Sequence, residues 1–481
     1  MKKTRDFIAF YINKTKYQIS GAKCQMSLAD FLRYELSLTG TKIVCAEGDC
    51  GACTVLLASI HSLDPKTSKL SFKAVNSCIL PLFAVDSCHI VSVEGLKLGP
   101  QLHPVQDSML NCFASQCGYC TPGFVCAMTA LHEDSILQNK PITEKRAKNF
   151  MTGNLCRCTG YESIIEAALS LPLKFESLQD RYSNINHLKE LKRLAKIPVE
   201  ISENGFSLFL PTTLKQALLH KQKYPEVKIV AGATDLGVAI NKGRLEYTKA
   251  LSLQNISKLW KIKRTKSYLE IPARVSLAYL QKYLEEQIPE MDQLLNIFAS
   301  PQIKNSATLV GNIVNASPIG DTIPFLMIQD SLVMLESSRA KRSIALQDFY
   351  QGYKKLNMKA HEIVTSIRFA LPKKDEIIKL YKVSLRKDLD ISAVTLATKV
   401  KVKDSMIHQA RIAFGGVGPV VLRLNTIEKD WLGKKYEPKL FSELSKIIQD
   451  HISPQSDIRG SKEYRILLCK NLLQKMADEF Q

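Results

Sequence analysis

The sequence predicts a multidomain α+β protein, and three observations lead to that prediction. Two strand-like segments and an amphipathic helix precede a cysteine-rich loop at Val44–Thr54. A second set of cysteines lies among short helical patterns that begin near residue 95. Further along, a short strand runs into a loop of small residues, Ala231–Gly237. By length alone, 481 residues with 45% hydrophobic content suggest about three domains.

The first unit combines strands with one helix. Strands are predicted at residues 6–12, 16–21, 54–58 and 70–75. Ser27 is a suitable N-cap for a helix whose apolar face carries Leu28, Phe31, Leu32 and Leu36. A hairpin, a helix, a cysteine loop and further strands in this order are typical of a ferredoxin-like β-grasp unit.

The loop of the first unit has the spacing of an iron–sulfur site. Cys45, Cys50 and Cys53 form C-x4-C-x2-C, which is the spacing of plant-type [2Fe–2S] sites. Such a site needs a fourth thiolate, and Cys78 is the nearest candidate. Small residues in the loop leave backbone amides free to approach the sulfurs. The alternative, three buried structural cysteines, does not account for the spacing.

The second cysteine set lies within a predicted four-helix unit. Helices are predicted at Pro104–Gln116, Pro122–His132, Thr143–Met151 and Glu162–Leu171. The connections between them carry Cys117 and Cys120, then Cys156 and Cys158, in the pattern C-x2-C and C-x-C. The C-x-C half favours a second [2Fe–2S] cluster. The spacing alone leaves open a structural zinc site with four cysteines.

The charge of the chain, its apolar segments and its remaining cysteines indicate which partners and sites are not expected. The formal net charge is +20, which raises the question of a nucleic-acid partner. The lysines are scattered and no DNA-binding motif is present, so we expect no nucleic-acid partner. We also expect a cytoplasmic protein with no membrane segment, because no apolar run approaches about 20 residues. Five cysteines outside the spaced sets are expected to be core residues: Cys24, Cys88, Cys112, Cys126 and Cys469.

A third unit contains a candidate phosphate loop. Pro211 opens a predicted helix that runs to about Tyr224, and Val227–Val230 is predicted to be a strand. The small residues of Ala231–Gly237 allow backbone amides to approach a phosphate, although a plain turn has the same composition. A second stretch rich in small and hydroxyl residues, Asn305–Asp321, suits a sheltered polar ligand.

The two cysteine motifs carry a resemblance to a known family. The segments Cys45–Cys53, Ser115–Gly123 and Gly153–Tyr161 resemble the cluster motifs of the xanthine dehydrogenase/aldehyde oxidase family. The resemblance implies two [2Fe–2S] clusters rather than zinc. Their ligands would be Cys45, Cys50, Cys53 and Cys78 for one and Cys117, Cys120, Cys156 and Cys158 for the other. Val44 and Ala46 replace glycines common in the family, which implies altered N–H···S contacts.

The third unit resembles the FAD-binding (PCMH-type) domain of the same family. By that resemblance, the residues that wrap the FAD pyrophosphate are Ile229, Val230, Ala231, Gly232, Ala233, Thr234, Asp235, Leu236 and Gly237. The residues that contact the flavin nucleotide are Phe298, Thr308, Gly311, Asn312, Asp321, Val364 and Lys382. Tyr353 would lie where the nicotinamide of NAD+ stacks.

The resemblance covers nearly the whole chain and implies a domain order. The predicted regions are a ferredoxin-like [2Fe–2S] domain (1–92), a helical [2Fe–2S]-binding domain (93–173), a linker (174–200), an FAD-binding domain (201–375) and a C-terminal domain like that of CO dehydrogenase flavoproteins (376–481). The loop Arg386–Asp390 in the last domain would lie beside the flavin.

The resemblance implies an oxidoreductase subunit whose chain holds no catalytic residue for the substrate. It would be the small, electron-transfer subunit of a molybdenum hydroxylase, with a large partner subunit that binds molybdopterin, in a heterotetramer of two small and two large subunits. Electrons would pass through two clusters to FAD and on to NAD+, in hypoxanthine and xanthine oxidation to urate, a step of purine catabolism. The alternatives are a subunit of an aldehyde or N-heterocycle dehydrogenase, or a basic binding module with a four-cysteine zinc site.

Overall fold

A computed structural model of the chain describes residues 4–64 and 66–479. Residues 1–3 and 65 of the predicted first domain, and residues 480 and 481 of the predicted last domain, lie outside the described residues. The chain divides into two compact units. The first contains residues 1–260 and 300–307, and the second contains residues 261–299 and 308–481.

The chain begins with a five-stranded sheet, in the α+β arrangement that the sequence predicts. Its strands are β1 (Ile8–Ile12), β2 (Thr15–Ile19), β3 (Thr54–Ser59), β4 (Lys73–Asn76) and β5 (Cys88–Val91), in the order β2-β1-β5-β3-β4. β1 pairs antiparallel with β2 and parallel with β5. The Ser27 hydroxyl accepts from the Asp30 backbone and caps α1 (Leu28–Asp30), which a π-helical turn extends to Glu35. The cysteine loop lies between this helical segment and β3.

Four helices follow the first sheet, as predicted. They are α2 (Pro104–Asn111), α3 (Thr121–Gln138), α4 (Glu144–Met151) and α5 (Glu162–Leu169). α2 is shorter than its sequence pattern indicates, and α3 is one turn or more longer because Ser135 and Ile136 continue it to an Asn139 cap in the left-handed conformation. The connecting residues 170–198 include α6 (Leu178–Tyr182) and α7 (Ile185–Leu194).

The first unit contains a second sheet with a helix after its third strand. Its strands and helices are β6 (Val199–Glu203), β7 (Phe206–Leu210), α8 (Leu214–Lys223), β8 (Lys228–Val230), α9 (Thr234–Asn241) and β9 (Lys249–Ser252), with strand order β6-β7-β9-β8. Phe10 and Val55 of the first sheet share one hydrophobic core with Leu208 and Val230 of the second. The burial of this core fixes α9 relative to the cysteine loop, since core side chains pack at crystal-like density.

Residues 261–370 contribute a second five-stranded sheet, a small hairpin and short helices. In chain order these are β10 (Lys263–Arg264), β11 (Tyr268–Pro272), α10 (Leu277–Leu284), α11 (Pro289–Asn296), α12 (Pro301–Ser306), α13 (Leu309–Asn315), α14 (Thr322–Ile328), β12 (Leu332–Glu336), β13 (Lys341–Ala345), α15 (Leu346–Phe349), β14 (Tyr350–Gly352), β15 (Lys355–Leu356) and β16 (Ile363–Ala370). The sheet order is β10-β11-β16-β12-β13. α12 belongs to the first compact unit, and its flanking segments belong to the second.

The chain ends in a four-stranded antiparallel sheet covered by helices. The elements are β17 (Glu376–Ser384), β18 (Ser392–Lys403), β19 (Met406–Gly415), β20 (Leu422–Arg423), α16 (Asn425–Asp430), α17 (Pro438–Ile447) and α18 (Lys462–Asp478). Phe414, Trp431, Phe441 and Leu473 are buried in the core of this region. Across the described residues, no helix is both long and apolar enough to cross a bilayer.

Candidate functional site

The first cysteine loop brings four thiols together. The Cys45 sulfur lies within hydrogen-bonding range of the Cys50 and Cys78 thiols, and the Cys53 sulfur is also within hydrogen-bonding range of Cys78. These contacts lower the pKa of the Cys45 thiol, chiefly through the Cys50 and Cys78 hydrogen bonds. Gly48 and Gly51 adopt φ values of +76° and +68°, which favour glycine and give the loop its tight course. Cys78, 25 residues beyond Cys53 in the printed sequence, thus joins the three local cysteines.

Backbone amides of this loop already point at sulfur. The Glu47 and Cys50 N–H groups lie 3.5 and 3.4 Å from the Cys45 Sγ. Ala46, between Cys45 and Glu47, has a φ of +54° in the left-handed region although it is not a glycine. N–H···S bonds of this kind tune the potential of an iron–sulfur cluster.

The second cysteine set also converges. The Cys117 and Cys158 sulfurs lie 3.5 Å apart and are exposed. Cys120, at the start of α3, makes a side-chain hydrogen bond with the buried Cys156. The Tyr161 hydroxyl accepts a hydrogen bond from the Cys156 amide at 3.0 Å and fixes the end of the C-x-C turn.

The pairing of thiols in the second cysteine set fits a two-iron cluster. The thiols of the second set form two close pairs, Cys117 with Cys158 and Cys120 with Cys156. A [2Fe–2S] cluster held by four cysteines needs two thiolates at each iron, which matches such pairs.

Direct hydrogen bonds join the two cysteine loops. The Leu155 N–H donates to the Cys50 carbonyl oxygen at 3.0 Å, and the Asn154 side-chain amide donates to the Gly51 carbonyl at the same distance. Gln302 of α12 donates in turn to the Asn154 Oδ1 at 2.7 Å. Asn154 and Gln302 are both buried. Neither residue was predicted from the sequence to contribute to a site. Asn154 lies two residues before Cys156, and this closeness to a cysteine motif could have marked it as part of the site. Gln302 lies near no such motif, so its sequence position does not indicate a role there.

The predicted phosphate loop lies between a strand and a helix N-terminus in the first unit. Ile229 and Val230 end β8, Ala231–Ala233 form the turn, and Thr234–Gly237 form the first turn of α9. Ala233 takes a left-handed φ of +61° there. Backbone amides in the first turn of a helix lack intrahelical partners and favour anions such as phosphate. The arrangement therefore fits the pyrophosphate of FAD.

Two glycines of this loop allow close packing of backbone on backbone. A Cβ on Gly232 would lie 2.2 Å from the Ser306 carbonyl oxygen, and one on Gly237 would lie 2.1 Å from that of Ile79. Any side chain at either position would force the loop or α9 away from its neighbour. Gly237 thus holds α9 directly against the residue that follows Cys78.

In the second unit, three of the predicted FAD residues meet at a buried ion pair. The Lys382 ammonium lies 2.7 Å from the Asp321 carboxylate, with side-chain exposures of 1% and 5%. The Ser392 hydroxyl donates to the other Asp321 oxygen at 2.6 Å, and Lys382 also lies over the Phe298 ring. Burial raises the pKa of Asp321, and Lys382 acts in the opposite direction.

The remaining predicted FAD residues of the second unit are spread over several elements. Thr308 caps α13 by accepting from the Gly311 amide, and Asn312 accepts from the Thr322 hydroxyl. Val364 is buried within β16. Tyr353 follows β14 and is 65% exposed, so its ring is accessible for stacking. The loop Arg386–Asp390 is held by a hydrogen bond from the Arg386 amide to the Asp390 carboxylate.

The cysteines outside the two sets differ from the candidate ligands. Four of the five are buried: Cys24, Cys88, Cys126 and Cys469. Burial raises the pKa of the Cys24 and Cys469 thiols to about 12. Cys112 is half-buried.

Comparison with known sequences assigns four domain families to the chain. Residues 10–82 match the 2Fe-2S iron-sulfur cluster binding domain, and residues 92–169 match the [2Fe-2S] binding domain. Residues 204–373 match the FAD binding domain in molybdopterin dehydrogenase, and residues 379–480 match the CO dehydrogenase flavoprotein C-terminal domain. These matches define an iron–sulfur flavoprotein with two [2Fe–2S] domains and one FAD-binding domain.

Full-length relatives give the family. Xanthine dehydrogenase 1 of Arabidopsis thaliana is 30% identical over 94% of this chain, and aldehyde oxidase 2 of Rattus norvegicus is 28% identical over 96%. The chain spans only 38% of the length of each. The protein belongs to the xanthine dehydrogenase/aldehyde oxidase family and corresponds to the iron–sulfur and FAD part of these relatives.

Solved structures agree on the fold of part of the chain. Carbon monoxide dehydrogenase from Hydrogenophaga pseudoflava matches with a TM-score of 0.54 and 18% identity, over 57% of this chain and 96% of its own. Quinoline 2-oxidoreductase from Pseudomonas putida 86 matches with a TM-score of 0.53 and 21% identity, over 58% of this chain and 98% of its own. At these identities the likeness concerns the fold alone.

Proposed function

We propose that the chain is the electron-transfer subunit of a xanthine dehydrogenase. Electrons from hypoxanthine or xanthine, oxidised to urate on a molybdopterin-binding large subunit, pass through the two clusters to FAD and then to NAD+. The chain's membership of the molybdenum hydroxylase family supports this proposal. The protein would act in the cytoplasm, as part of a heterotetramer of two small and two large subunits.

The observation that carries the proposal is the direct contact between two four-thiol sites. Cys50 of one site and Leu155, next to Cys156 of the other, share a 3.0 Å hydrogen bond. A single hydrogen bond therefore connects the backbone of Cys50, a candidate ligand of one site, to the residue next to Cys156, a candidate ligand of the other. Two one-electron centres joined in this way form a relay, which a structural zinc site does not require.

The order of the relay follows from the exposure of the thiols. Cys117 and Cys158 are exposed, so the helical site is the one that faces a partner. Cys53 and Cys78 are buried, and Ile79 packs against Gly237 at the end of the phosphate loop's helical turn. We therefore assign the helical site to the entry of electrons and the ferredoxin-like site to the flavin side.

The chain's residues hold the cofactors, and the cofactors supply the redox chemistry. When bound, the clusters carry single electrons and FAD collects two for the acceptor. The eight cysteines bind the irons, and the Glu47 and Cys50 amides donate to a ligand sulfur. The amides of the Ala231–Gly237 loop bind the FAD pyrophosphate. The residues at the Lys382–Asp321 ion pair would contact the flavin nucleotide, and the exposed Tyr353 would stack on the nicotinamide.

The choice of substrate rests on the relatives that are named xanthine dehydrogenases, which include plant, fungal and animal proteins. A relative named aldehyde oxidase matches at a similar identity, 28%. Substrate is bound outside this chain, so a substrate screen of the whole complex distinguishes xanthine from aldehydes and N-heterocycles.

The proposal is tested on the native complex purified through a tag on this chain. We expect visible absorbance from flavin and iron–sulfur groups, two distinct [2Fe–2S] signals by electron paramagnetic resonance, one FAD per chain and xanthine-dependent reduction of NAD+. A single cluster in fully loaded protein refutes the relay. Two clusters and FAD with aldehyde turnover but no xanthine turnover refute the assignment to xanthine.

A further inference from the structure

Asn241, the last residue of α9, bonds to the cysteine loop from outside it. Its side-chain Nδ2 donates to the Ala46 carbonyl oxygen at 2.7 Å and to the Cys78 carbonyl oxygen at 2.9 Å. One amide group thus connects the segment that carries Cys45 with the separate segment that carries the fourth thiol. All three residues lie in the first compact unit.

The bond to Ala46 fixes a peptide group that also touches sulfur. The Ala46 carbonyl and the Glu47 N–H belong to one planar trans peptide, so they point in opposite directions. Asn241 holds the carbonyl end, and the N–H end lies 3.5 Å from the Cys45 Sγ. Rotation of this peptide would break both hydrogen bonds together.

The strained backbone of Ala46 explains why this peptide needs the hydrogen bond from Asn241. The Ala46 φ of +54° lies in the left-handed region, where the Cβ of an L-residue approaches the following carbonyl oxygen too closely. Steric strain favours a change in the backbone dihedral angles of Ala46, and such a change would rotate the peptide that joins Ala46 to Glu47. The Asn241 amide opposes this rotation by bonding to the carbonyl of the strained residue.

We propose that Asn241 is a positioning residue for the first cluster, and that it keeps the Glu47 N–H on the Cys45 sulfur and so raises the cluster's reduction potential. An N–H directed at a ligand sulfur stabilises the more negative, reduced cluster. The inference rests on the proposed function, since it requires a [2Fe–2S] cluster at these cysteines.

The same contact links the cluster to the flavin loop. α9 begins with the residues assigned to the FAD pyrophosphate and ends at Asn241. Gly237, in the middle of this helix, packs on the Ile79 carbonyl. Eight residues of helix therefore connect the phosphate loop to the carbonyls of Ala46 and Cys78.

A neighbouring ion pair provides a control. Lys242 Nζ lies 2.9 Å from the Glu47 carboxylate, with both side chains about two-fifths exposed. This pair anchors the Glu47 side chain but not the peptide that precedes it. Its electrostatic effect is screened by salt, whereas the Asn241 hydrogen bonds are not.

The test is a potentiometric titration of the whole protein, followed by electron paramagnetic resonance. Asn241→Leu keeps a good helix former at this position and removes both hydrogen bonds. We expect a lower midpoint potential and altered g-values for the first cluster, with the second cluster, iron content and FAD content unchanged. Asn241→Gln retains an amide donor and should recover part of the potential. Lys242→Ala at high salt should keep the wild-type potential.

An unchanged first-cluster potential in Asn241→Leu overturns the inference. If this variant fails to bind the cluster, Asn241→Ser, whose side chain is too short to span both carbonyls, decides the question by the same measurement. A potential shift of equal size in Lys242→Ala at high salt also overturns it. Loss of a cluster signal from the unsubstituted protein refutes the proposed function instead, so the two failures are distinguishable.

Discussion

The backbone N–H of Leu155 donates to the carbonyl oxygen of Cys50 at 3.0 Å. This bond joins a loop that begins at residue 45 to a turn more than 100 residues later in the chain. It places a ligand of each predicted cluster within a few bonds of the other. The two cysteine loops are therefore mechanically connected, so a substitution in one loop is expected to affect the other.

Substitution Cys50→Ser is expected to remove the first cluster's paramagnetic signal and to leave FAD in the protein. Electrons then stop at the second cluster, because the substituted site no longer relays them, and substrate-dependent NAD+ reduction by the complex falls to background. The measurement is electron paramagnetic resonance combined with steady-state kinetics. Cys24→Ser, a buried cysteine outside both sets, is the control and keeps both signals. Wild-type turnover in Cys50→Ser would disprove the relay order.

Substitution Gly51→Ala is expected to reduce iron content. Its φ of +68° costs alanine about 1 to 2 kcal/mol, and the added Cβ would lie 2.3 Å from the Gly153 carbonyl oxygen. The loop must shift away from the second site, which disturbs the ligands of both. Gly99→Ala is the matched control, because its φ is +61° and its Cβ would meet open space. Iron per chain and the urea midpoint measure both effects, and equal losses in the two variants would contradict the steric argument.

Substitution Asp321→Ala is expected to destabilise the protein by about 3 to 5 kcal/mol, because Lys382 stays buried without its carboxylate. The double variant Asp321→Leu with Lys382→Met removes both charges and should recover most of that loss in urea unfolding.

The same pair of variants tests the predicted contact with FAD. If Asp321 and Lys382 bind the flavin nucleotide, the double variant stays low in FAD although its stability returns. A double variant with full FAD content would show that the ion pair only supports the fold. FAD is measured by absorbance after release from the protein.

The free energy of unfolding is expected to decrease as the pH is lowered below about 6.5, because the folded protein keeps His103 neutral. Burial, with the like charges of His132 and Arg181, lowers the pKa of His103 from 6.5 to about 3. Between these values the unfolded chain binds a proton that the folded chain does not, so the free energy of unfolding decreases by up to about 1.4 kcal/mol per pH unit as the pH falls. Above pH 6.5 this histidine has no effect on the slope.

Substitution His103→Asn tests this pH dependence. The His103 Nδ1 accepts from the Val105 amide as the N-cap of α2, and asparagine is also a good N-cap. The variant should unfold with a shallower dependence on acid and with little change at pH 8, measured by circular dichroism in urea. An unaltered acid slope would show that other groups dominate the transition.

The α+β fold class and the iron–sulfur and FAD-binding types of domain were predictable from sequence, whereas the assignment of the cysteines as iron ligands stays a prediction. Ligand spacing is local, because a loop of nine residues has few ways to present three thiols to one cluster. The turns and helices around the second set follow from periodicity and caps such as Thr143 of α4. The assignment of Cys78 needed only the expectation of a fourth thiolate, and the structure brings it to the other three. The roles proposed for the FAD residues stay predictions.

The contacts that connect these sites were not predictable. Asn241 and Ala46 are 195 residues apart, and Gln302 and Asn154 are 148 apart. No local pattern marks an asparagine at a helix end or a glutamine in a short helix as a partner of a distant carbonyl. α12 likewise joins the first compact unit although its neighbours in sequence belong to the second.

The sequence by itself determined which cysteines are the candidate iron ligands, because thiolate chemistry and short-range spacing specify such a set with little reference to the rest of the chain. Only the tertiary structure decided which amides point at sulfur, which carbonyls are held and how the two loops touch. Those features depend on hydrogen bonds between segments that packing brings together, and the packing is set by the shared core of Phe10, Val55, Leu208 and Val230.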